Sequence, residues 1–544
     1  MDVYIPQADA ALGDTQHLKL NELNERQYEA VTAPPQNMLV LAGAGSGKTK
    51  VLISRIGYLI QAHRVSSFSI MAVTFTNKAA AEMRHRLEAV LGQGALGSQY
   101  SSHGMWIGTF HGLAHRFLRT HYREAKLPES FQVLDSDDQH RLIRRVMKSL
   151  NLDEKRYPPK QVMWYINGKK DEGLRPKHID TFDPTEQVML QVYNTYQEAC
   201  DRAGLVDFAE ILLRSHEVLS THSDILLHYR KRFRHILVDE FQDTNSIQYA
   251  WIRLISGANP GAIGEDIPPS HVMIVGDDDQ SIYGWRGARV ENIHNFQRDF
   301  ESVEIIRLEQ NYRSTANILK AANAVIANNS DRLGKDLWTE GKEGDPIALY
   351  SSFNELDEAK FVVGNIKKWQ EDGGALSETA ILYRNNAQSR VLEEALLQAG
   401  MKYRIYGGLR FFERQEIKDA LAYLRMVANR DDDAAFERVI NTPARGIGEK
   451  TLQMVRDAAR SQSLTMWQAA HRLIDEKRLS GRASNAIKSF LELIQNLEQT
   501  ISELPLHEQA DQVIQGSGLK AMYQAEKGEK GQTRVENLEE LVTA

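Results

Sequence analysis

The sequence predicts an α/β protein built on parallel β-sheets that helices cover on both faces. Longer helical patterns such as Asn77–Leu91 alternate with short apolar runs, and this alternation is typical of a doubly wound core. The runs contain few polar residues, as expected for strands that are buried on both faces. They lie at Met38–Leu41, Ile70–Phe75, Ile236–Val238, Val272–Val275, Ile305–Leu308 and Ala380–Tyr383.

Length and composition indicate a globular protein with several domains. The 544 residues exceed the roughly 250–300 at which a single hydrophobic core stops growing. Hydrophobic residues make up 42% of the chain and charged residues 26%, which excludes a fibrous or disordered class. No apolar run approaches the ~20 residues that span a bilayer, and the N-terminus lacks the layout of a secretory signal. We therefore expect no membrane partner.

The cysteine content and the net charge bear on location and partners. Cys200 is the only cysteine, so it has no partner for an internal disulfide; this fits a reducing cytosol. We expect it to be a small buried hydrophobic residue. The net charge of −7 argues against a surface coated in positive charge, yet a groove can be basic on an acidic body. The charge therefore leaves a nucleic-acid partner open.

A glycine-rich loop after the first apolar run predicts a nucleotide site. The loop precedes the helical pattern Val51–Gln61, and in such a P-loop successive backbone N–H groups surround phosphate oxygens at a helix N-terminus. We expect Lys48 to contact the β- and γ-phosphates and the Thr49 hydroxyl to bind Mg²⁺. A glycine turn without a ligand is the alternative. The candidate nucleotide-binding residues here are Leu41, Ala42, Gly43, Ala44, Gly45, Ser46, Gly47, Lys48 and Thr49.

Two later strand ends carry the groups that would complete this chemistry. Asp239 and Glu240 follow the run that ends at Val238. We expect Asp239 to bind the Mg²⁺ of ATP and Glu240 to act as the general base toward the attacking water. Gln280 follows three aspartates after the next run, where it would contact the γ-phosphate and report its presence. A solvated acidic loop is the alternative for that segment.

Six longer motifs follow one another along the chain. They are LNERQYEAV (Leu23–Val31), TFTNKAAAEMR (Thr74–Arg84), GTFHGLAHR (Gly108–Arg116), VDEFQDTN (Val238–Asn245), VGDDDQSIYGWRGA (Val275–Ala288) and LEQNYRST (Leu308–Thr315). In order and in wording these motifs resemble those of the superfamily 1 helicases of the UvrD/Rep/PcrA group. The likeness extends from about residue 18 to the end of the chain.

The resemblance implies two RecA-like P-loop domains, each with a largely helical insertion. The first RecA-like domain would comprise 1–110 and 234–308, with its insertion at 111–233. The second would comprise 309–405, with its insertion at 406–544. Family members continue with further segments, one of which supplies another arginine to the γ-phosphate. We therefore expect the second RecA-like domain to be incomplete, and this chain to bind nucleotide and DNA but to unwind poorly.

The resemblance also implies roles at the nucleotide. The glutamine matching Gln27 reads the adenine edge, the tyrosine matching Tyr312 stacks on the base, and the arginine matching Arg313 reaches the γ-phosphate from the second RecA-like domain. Lys50 stands where the family usually has an arginine packed on the adenine. Because lysine lacks the planar guanidinium, base selectivity is expected to be looser. A surface ion pair is the alternative for Arg313.

DNA contacts follow from the same resemblance. Aromatic side chains stack on bases without sequence preference, although core packing is the alternative for Phe75 and Phe208. A tight turn at Arg445, Gly446 and Gly448 would meet duplex DNA, or simply join two helices. The candidate contacts to single-stranded DNA are Phe75, Thr76, Asn77, Phe110, His111, Phe208, Tyr283, Trp285, Arg286, Tyr383, Arg384 and Asn385.

The expected function is therefore that of an ATP-dependent 3′-to-5′ DNA helicase of DNA repair and replication. ATP and Mg²⁺ are the implied cofactors, and single-stranded and duplex DNA and DNA-repair accessory proteins are the implied partners. The implied location is the bacterial cytoplasm, in association with the nucleoid. A hydrolysis-deficient DNA-binding or regulatory protein and a helicase–nuclease subunit are the alternatives.

Overall fold

A computed structural model describes residues 18–92, 104–258, 267–284, 287–330, 332–384, 388–405, 414–526 and 529–543. The chain divides into two compact units, Met1–Asp345 and Pro346–Ala544. Residues 309–345 therefore belong to the first unit. The four-part division proposed above on the basis of the family resemblance stays a prediction.

The first unit contains a parallel sheet that matches the predicted fold class. Within the described residues its strand order is β3-β2-β6-β7-β1-β8, and β4 pairs with β5 separately. Five of the predicted apolar runs are strands of the large sheet, as expected. The strands are β1 Met38–Ala42, β2 Ile70–Thr74, β3 Trp106–Thr109, β4 Gln132–Val133, β5 Leu205–Val206, β6 His235–Val238, β7 His271–Gly276 and β8 Glu304–Leu308.

Strand β1 shows why these runs contain so few polar residues. Its side chains alternate between two hydrophobic clusters, one on each face of the sheet. Leu39 and Leu41 lie in one cluster, whereas Met38, Val40 and Ala42 lie in the other. Since both faces are covered, every position of the strand is buried. The carboxyl ends of the parallel strands share one edge, and the loops after β1, β6 and β7 meet there.

Helices cover the two faces of this sheet. The helical patterns predicted at Asn77–Leu91 and Val51–Gln61 are confirmed, the second within a helix that begins at Lys48. The helices of the first unit are α1 Glu25–Thr32, α2 Lys48–Gln61, α3 Asn77–Leu91, α4 Phe110–Thr120, α5 Ser136–Ser149, α6 Pro159–Asp171, α7 Pro184–Ala203, α8 Phe208–Thr221, α9 Ser223–Arg232, α10 Ser246–Ser256, α11 Glu291–Asp299 and α12 Ala316–Ile326.

Between β3 and β6 the chain is largely helical, since α4 to α9 fill this stretch and only the short β4–β5 pair interrupts them. Cys200 on α7 is buried, as predicted, and burial raises the pKa of its thiol to about 12. The thiol therefore stays protonated and unreactive at neutral pH.

The second unit is helical in its described residues. Most of its core forms where α15 to α22 pack together. The predicted strand Ala380–Tyr383 was wrong: the segment has no regular secondary structure and joins no ladder among the described residues, and Leu382 is 93% exposed. The helices are α13 Glu355–Glu371, α14 Ser389–Gln398, α15 Gln415–Ala428, α16 Asp433–Val439, α17 Glu449–Gln462, α18 Met466–Asp475, α19 Gly481–Ile501, α20 Leu506–Gly516, α21 Leu519–Gln524 and α22 Glu529–Thr543.

None of the helices in the described ranges combines the length and apolar character needed to span a bilayer.

Candidate nucleotide and DNA sites

The P-loop connects the end of β1 to the start of α2. Gly45 and Gly47 have φ of 68° and 85°, a left-handed conformation that glycine adopts without the strain of a side chain. The Ser46 hydroxyl donates to the Gly43 carbonyl over 2.7 Å and tightens the turn. Lys48 and Thr49 then open the helix, so their side chains stand at its N-terminal end beside the loop.

The segment after β8 packs directly against this loop. The Tyr312 N–H donates to the Gly45 carbonyl over 2.9 Å, and the Asn311 amide donates to the Ala44 carbonyl. A Cβ on Gly45 would lie 2.7 Å from the Cβ of Arg313, which is too close for any other residue. The contact therefore requires glycine at this position and places Tyr312 and Arg313 beside the phosphate loop.

Lys48 and Glu240 form an ion pair across the site. The Lys48 ammonium lies 3.0 Å from Glu240 Oε2, which also accepts from the Gln242 amide over 2.8 Å. Glu240 has a φ of 49°, the left-handed region that non-glycine residues rarely adopt. Such a backbone outlier is typical of a functional position. The predicted phosphate-binding lysine and the predicted general base are thus in contact.

Asp239 is a buried carboxylate beside this pair. It is 6% exposed, and burial, followed by the charge of Glu240, raises its pKa to about 6. The Glu240 N–H donates to Asp239 Oδ1 over 2.9 Å. A carboxylate destabilised in this way gains from a nearby cation, and Mg²⁺ prefers hard oxygen ligands. Asp239 therefore fits the Mg²⁺ of a bound nucleotide, while the role of the Thr49 hydroxyl stays a prediction.

The raised pKa of Asp239 predicts how stability depends on pH. The folded protein binds this proton more tightly than the unfolded chain, so Asp239 makes the free energy of unfolding fall as pH rises from about 4 to about 6. We expect Asp239→Asn to raise the free energy of unfolding at pH 7 by about 3 kcal/mol, and by less at pH 5. Urea unfolding at the two pH values measures both differences.

The matched control is Asp372→Asn, which changes an exposed carboxylate and should alter neither value. Equal stabilities of the Asp239→Asn variant and the unchanged protein at pH 7 would contradict the prediction.

A hydrogen-bonded group connects the two residues predicted to meet the adenine. Asn24 caps α1, where its side chain accepts from the Gln27 N–H over 2.8 Å. The same side chain donates to the Tyr312 hydroxyl over 2.7 Å. The Gln27 amide in turn donates to the Ser46 carbonyl of the P-loop over 2.8 Å. Sequence reasoning missed Asn24, although Asn-x-x-Gln before a helix is a recognisable capping signal.

Lys50 lies at the outer side of α2. Its ammonium donates to the Glu22 carbonyl over 2.9 Å, and the residue is exposed. This bond ties the start of α2 to the segment before α1.

Side-chain amides link the loop after β7 to the loop after β6, which carries Glu240. The Asp277 N–H donates to Gln242 Oε1 over 3.0 Å, while the Gln242 amide reaches Glu240. The Gln280 amide donates to the Asp277 carboxylate. The predicted sensor is therefore two hydrogen-bonded residues away from the predicted base.

Lys335 and Arg332 bind the aspartates of this loop, which the sequence analysis did not anticipate. The Lys335 ammonium lies 2.5 to 2.9 Å from the carboxylates of Asp277, Asp278 and Asp279. Arg332 forms two bonds to Asp279, over 2.7 and 3.0 Å. The alternative of a solvated acidic loop is therefore wrong, since these carboxylates are held by cations from the same unit.

Several predicted DNA contacts lie in pairs near the same sheet edge. The rings of Phe75 and Tyr283 are 5.3 Å apart with a 30° tilt, and those of His111 and Phe208 are 5.9 Å apart. Burial lowers the pKa of His111 to about 4, so this ring is neutral at pH 7. Phe208 is 53% exposed and offers a face to a base.

Phe110 and Thr76 have structural contacts instead. The Phe110 ring is 3% exposed and packs edge-on to Trp251, so in this structure it offers no face to a base. The Thr76 hydroxyl caps α3 by accepting from the Ala79 N–H, and Asn77 is the exposed first residue of that helix.

A buried ionic cluster fixes the helix that carries Phe208. The Asp207 carboxylate caps α8 by accepting from the Glu210 N–H over 2.8 Å. The fully buried Lys170 ammonium lies 2.7 Å from Asp207 and 2.9 Å from Glu210. Because buried charges that lose a partner are strongly destabilising, this cluster holds the N-terminus of α8 in one place. Phe208 is thus an exposed ring on a rigid support.

This geometry predicts a large effect of Phe208→Ala on DNA affinity. Stacking on one aromatic ring is worth roughly 1–3 kcal/mol, so the Kd for oligo-dT should rise roughly 5- to 150-fold. Fluorescence anisotropy with labelled oligo-dT measures this change. Phe182→Ala removes an even more exposed ring on the same stretch and should leave the Kd unchanged. Equal losses in both variants would show that Phe208 has no special role.

The remaining predicted DNA residues are in the second unit or outside the described ranges. Tyr383 is half-buried and Arg384 is exposed. Trp285, Arg286 and Asn385 lie outside the described residues. The Arg445 guanidinium donates to the Val439, Pro443 and Ser517 carbonyls and to the Tyr423 hydroxyl, so it stabilises the turn.

The turn itself leaves backbone groups exposed. Gly446 has a φ of 73°, and Gly448 is the N-cap of α17 with no side-chain cap. Both glycines are exposed. A helix N-terminus of this kind suits a phosphate group.

Two family models match the chain. The UvrD/REP helicase N-terminal domain matches residues 23–301, and the UvrD-like helicase C-terminal domain matches residues 306–544. DNA helicase II of Escherichia coli strain K12 is 64% identical over 526 residues, which are 96% of this chain and 71% of that protein. DNA helicase II of Haemophilus influenzae is 60% identical over 96% of this chain and 70% of its own length. ATP-dependent DNA helicase PcrA of Bacillus subtilis is 40% identical over 96% of this chain and 69% of its own length.

Proposed function

Because the chain belongs to the UvrD-like helicase family, it is a DNA helicase with ATPase activity, and we propose that it moves along single-stranded DNA in the 3′-to-5′ direction. The observation that supports the ATP-driven step is the convergence at one sheet edge. The P-loop, the Lys48–Glu240 pair and the Tyr312–Arg313 segment lie within hydrogen-bonding or packing distance of one another there.

In the proposed reaction, MgATP binds with its phosphates on the P-loop N–H groups and its base between Gln27 and Tyr312. The Lys48 ammonium leaves its ion pair with Glu240 and contacts the β- and γ-phosphates instead. Glu240 is thereby released to accept a proton from the attacking water. Asp239 and Thr49 would hold the Mg²⁺, which would neutralise charge on the phosphate oxygens.

Arg313 and Gln280 are proposed to read the γ-phosphate from two sides. Arg313 stabilises the charge that develops in the transition state. Gln280 contacts the γ-phosphate while it is present, and the loss of that contact changes the loop that carries Tyr283. The rings of Tyr283 and Phe75 form a pair at this loop. ATP hydrolysis and binding of the DNA strand are therefore coupled over a short distance.

DNA contacts are proposed at two places. Single-stranded DNA stacks on Phe75, Tyr283 and Phe208, with Asn77 and His111 beside them. Duplex DNA places a phosphate at the turn formed by Gly446 and Gly448. We propose that this activity serves DNA repair and replication, with repair accessory proteins as partners and the bacterial cytoplasm near the nucleoid as the location.

Direction is tested with duplexes that carry one single-stranded tail. The full chain is mixed with ATP and Mg²⁺ and with duplexes that bear either a 3′ or a 5′ oligo-dT tail, and strand release is followed by fluorescence. We expect slow release, in keeping with the poor unwinding expected above, and release from the 3′-tailed duplex alone. Preferential release from the 5′-tailed duplex would refute the proposed direction, and omission of ATP should abolish release from both.

A further inference from the structure

Lys335 is a buried ammonium that the proposed mechanism does not use. Its side chain is 3% exposed. The ammonium nitrogen lies 2.5 Å from Asp277 Oδ1, 2.9 Å from Asp278 Oδ1 and 2.9 Å from Asp279 Oδ2. These three carboxylates are close enough together to hold a metal ion. In this protein the Lys335 ammonium contacts all three and offsets part of their negative charge.

One of these contacts leads to the γ-phosphate sensor. The Asp277 carboxylate that binds Lys335 through Oδ1 also accepts, through Oδ2, from the Gln280 amide. Asp277 is thus held between a fixed ammonium and the sensor. Because an ionised acceptor makes a stronger hydrogen bond, this pairing restricts the orientation of the Gln280 amide.

Hydrogen bonds also connect the segment that follows Lys335 to Arg313. Three residues after Lys335, the Trp338 carbonyl accepts from the Asn311 N–H over 2.7 Å, and the Trp338 N–H donates to the Glu309 carbonyl over 3.2 Å. The Asn311 carboxamide oxygen in turn accepts from the Arg313 N–H over 2.8 Å. The Lys335 segment is therefore hydrogen-bonded to the segment after β8 that presents Arg313.

We infer, on the basis of the proposed function, that Lys335 is a positioning residue that fixes Gln280 and Arg313 relative to each other. Its contact with the three aspartates joins the loop after β7 to the segment after β8 at the edge where the γ-phosphate would lie. Removing the ammonium separates the two γ-phosphate contacts without removing a group that touches ATP or DNA. The expected defect is therefore in the rate of hydrolysis and not in binding.

The experiment compares Lys335→Gln with Lys320→Gln in the full chain. Lys320 is an exposed lysine on α12 whose contact is a surface ion pair with Glu343. Steady-state ATP hydrolysis is measured over a range of ATP and oligo-dT concentrations, with thermal melting alongside. For Lys335→Gln we expect kcat at saturating oligo-dT to fall about tenfold or more, with KM for ATP within about twofold. Lys320→Gln should match the unchanged protein.

The double variant Lys335→Gln/Asp279→Asn covers the case in which the single variant melts early, since it removes one repelling carboxylate together with the ammonium. A stable double variant with low kcat supports the inference. A stable single or double variant with unchanged kcat, or a loss confined to KM, overturns it. Absence of oligo-dT stimulation in the unchanged protein would instead refute the proposed function.

Discussion

Lys48→Ala is expected to lower kcat for DNA-stimulated ATP hydrolysis by about 10²–10³-fold, the usual cost of losing one donor that stabilises transition-state charge. Lys48 is the cation at the P-loop, and its ammonium already lies 3.0 Å from the proposed general base. Without it the γ-phosphate loses a positive partner and Glu240 faces the phosphates with less compensation. A coupled-enzyme assay with and without oligo-dT measures the loss.

Lys320→Ala serves as the control, since it removes an ammonium from the surface of α12 and should keep full activity. Melting temperatures should agree for the two variants, because Lys48 contributes one partly exposed ion pair to the fold. A Lys48→Ala variant that folds and hydrolyses ATP at the unchanged rate would contradict the assignment of the P-loop.

Glu240→Gln is expected to lower kcat by about 10²–10⁴-fold while nucleotide binding persists. Glutamine has nearly the shape of glutamate but cannot take the proton of the attacking water. The carboxylate also repels the phosphates, so its neutralisation should tighten ATP binding. Single-turnover hydrolysis gives the rate, and a fluorescent ATP analogue gives the Kd.

Glu343→Gln is the matched control, since that exposed carboxylate forms a surface ion pair with Lys320 on α12 and should alter neither quantity. A variant in which hydrolysis and ATP binding fall together would point to a disrupted site and would contradict a role confined to proton transfer.

Where a structure is encoded in consecutive residues, sequence reasoning predicted it correctly. The P-loop and α3 needed only local patterns, because the strand, the glycines and the helix follow one another along the chain. Asn24 was within reach of the same reasoning as a helix cap. Its bond to Tyr312, however, spans 288 positions, and no local pattern encodes such a contact.

Other features depend on how distant segments meet. Lys335 contacts Asp277, Asp278 and Asp279 from more than 50 positions further along the chain. No local sequence pattern predicts such a contact. Phe110 follows a strand just as Phe75 does, yet one ring is in the core and the other is only half-buried. The apolar run Ala380–Tyr383 has the composition of a strand, but composition does not supply a pairing partner.

The strand order has a consequence for how the chain folds during synthesis. Strand β1 lies between β7 and β8, so Met38 pairs with Met273 and Glu304. Both partners leave the ribosome long after β1 and α2, and contacts between distant segments form slowly. Until then both edges of β1 are unpaired, and an unpaired strand edge is prone to aggregation. We therefore expect the nascent chain to require a holding chaperone until β8 has emerged.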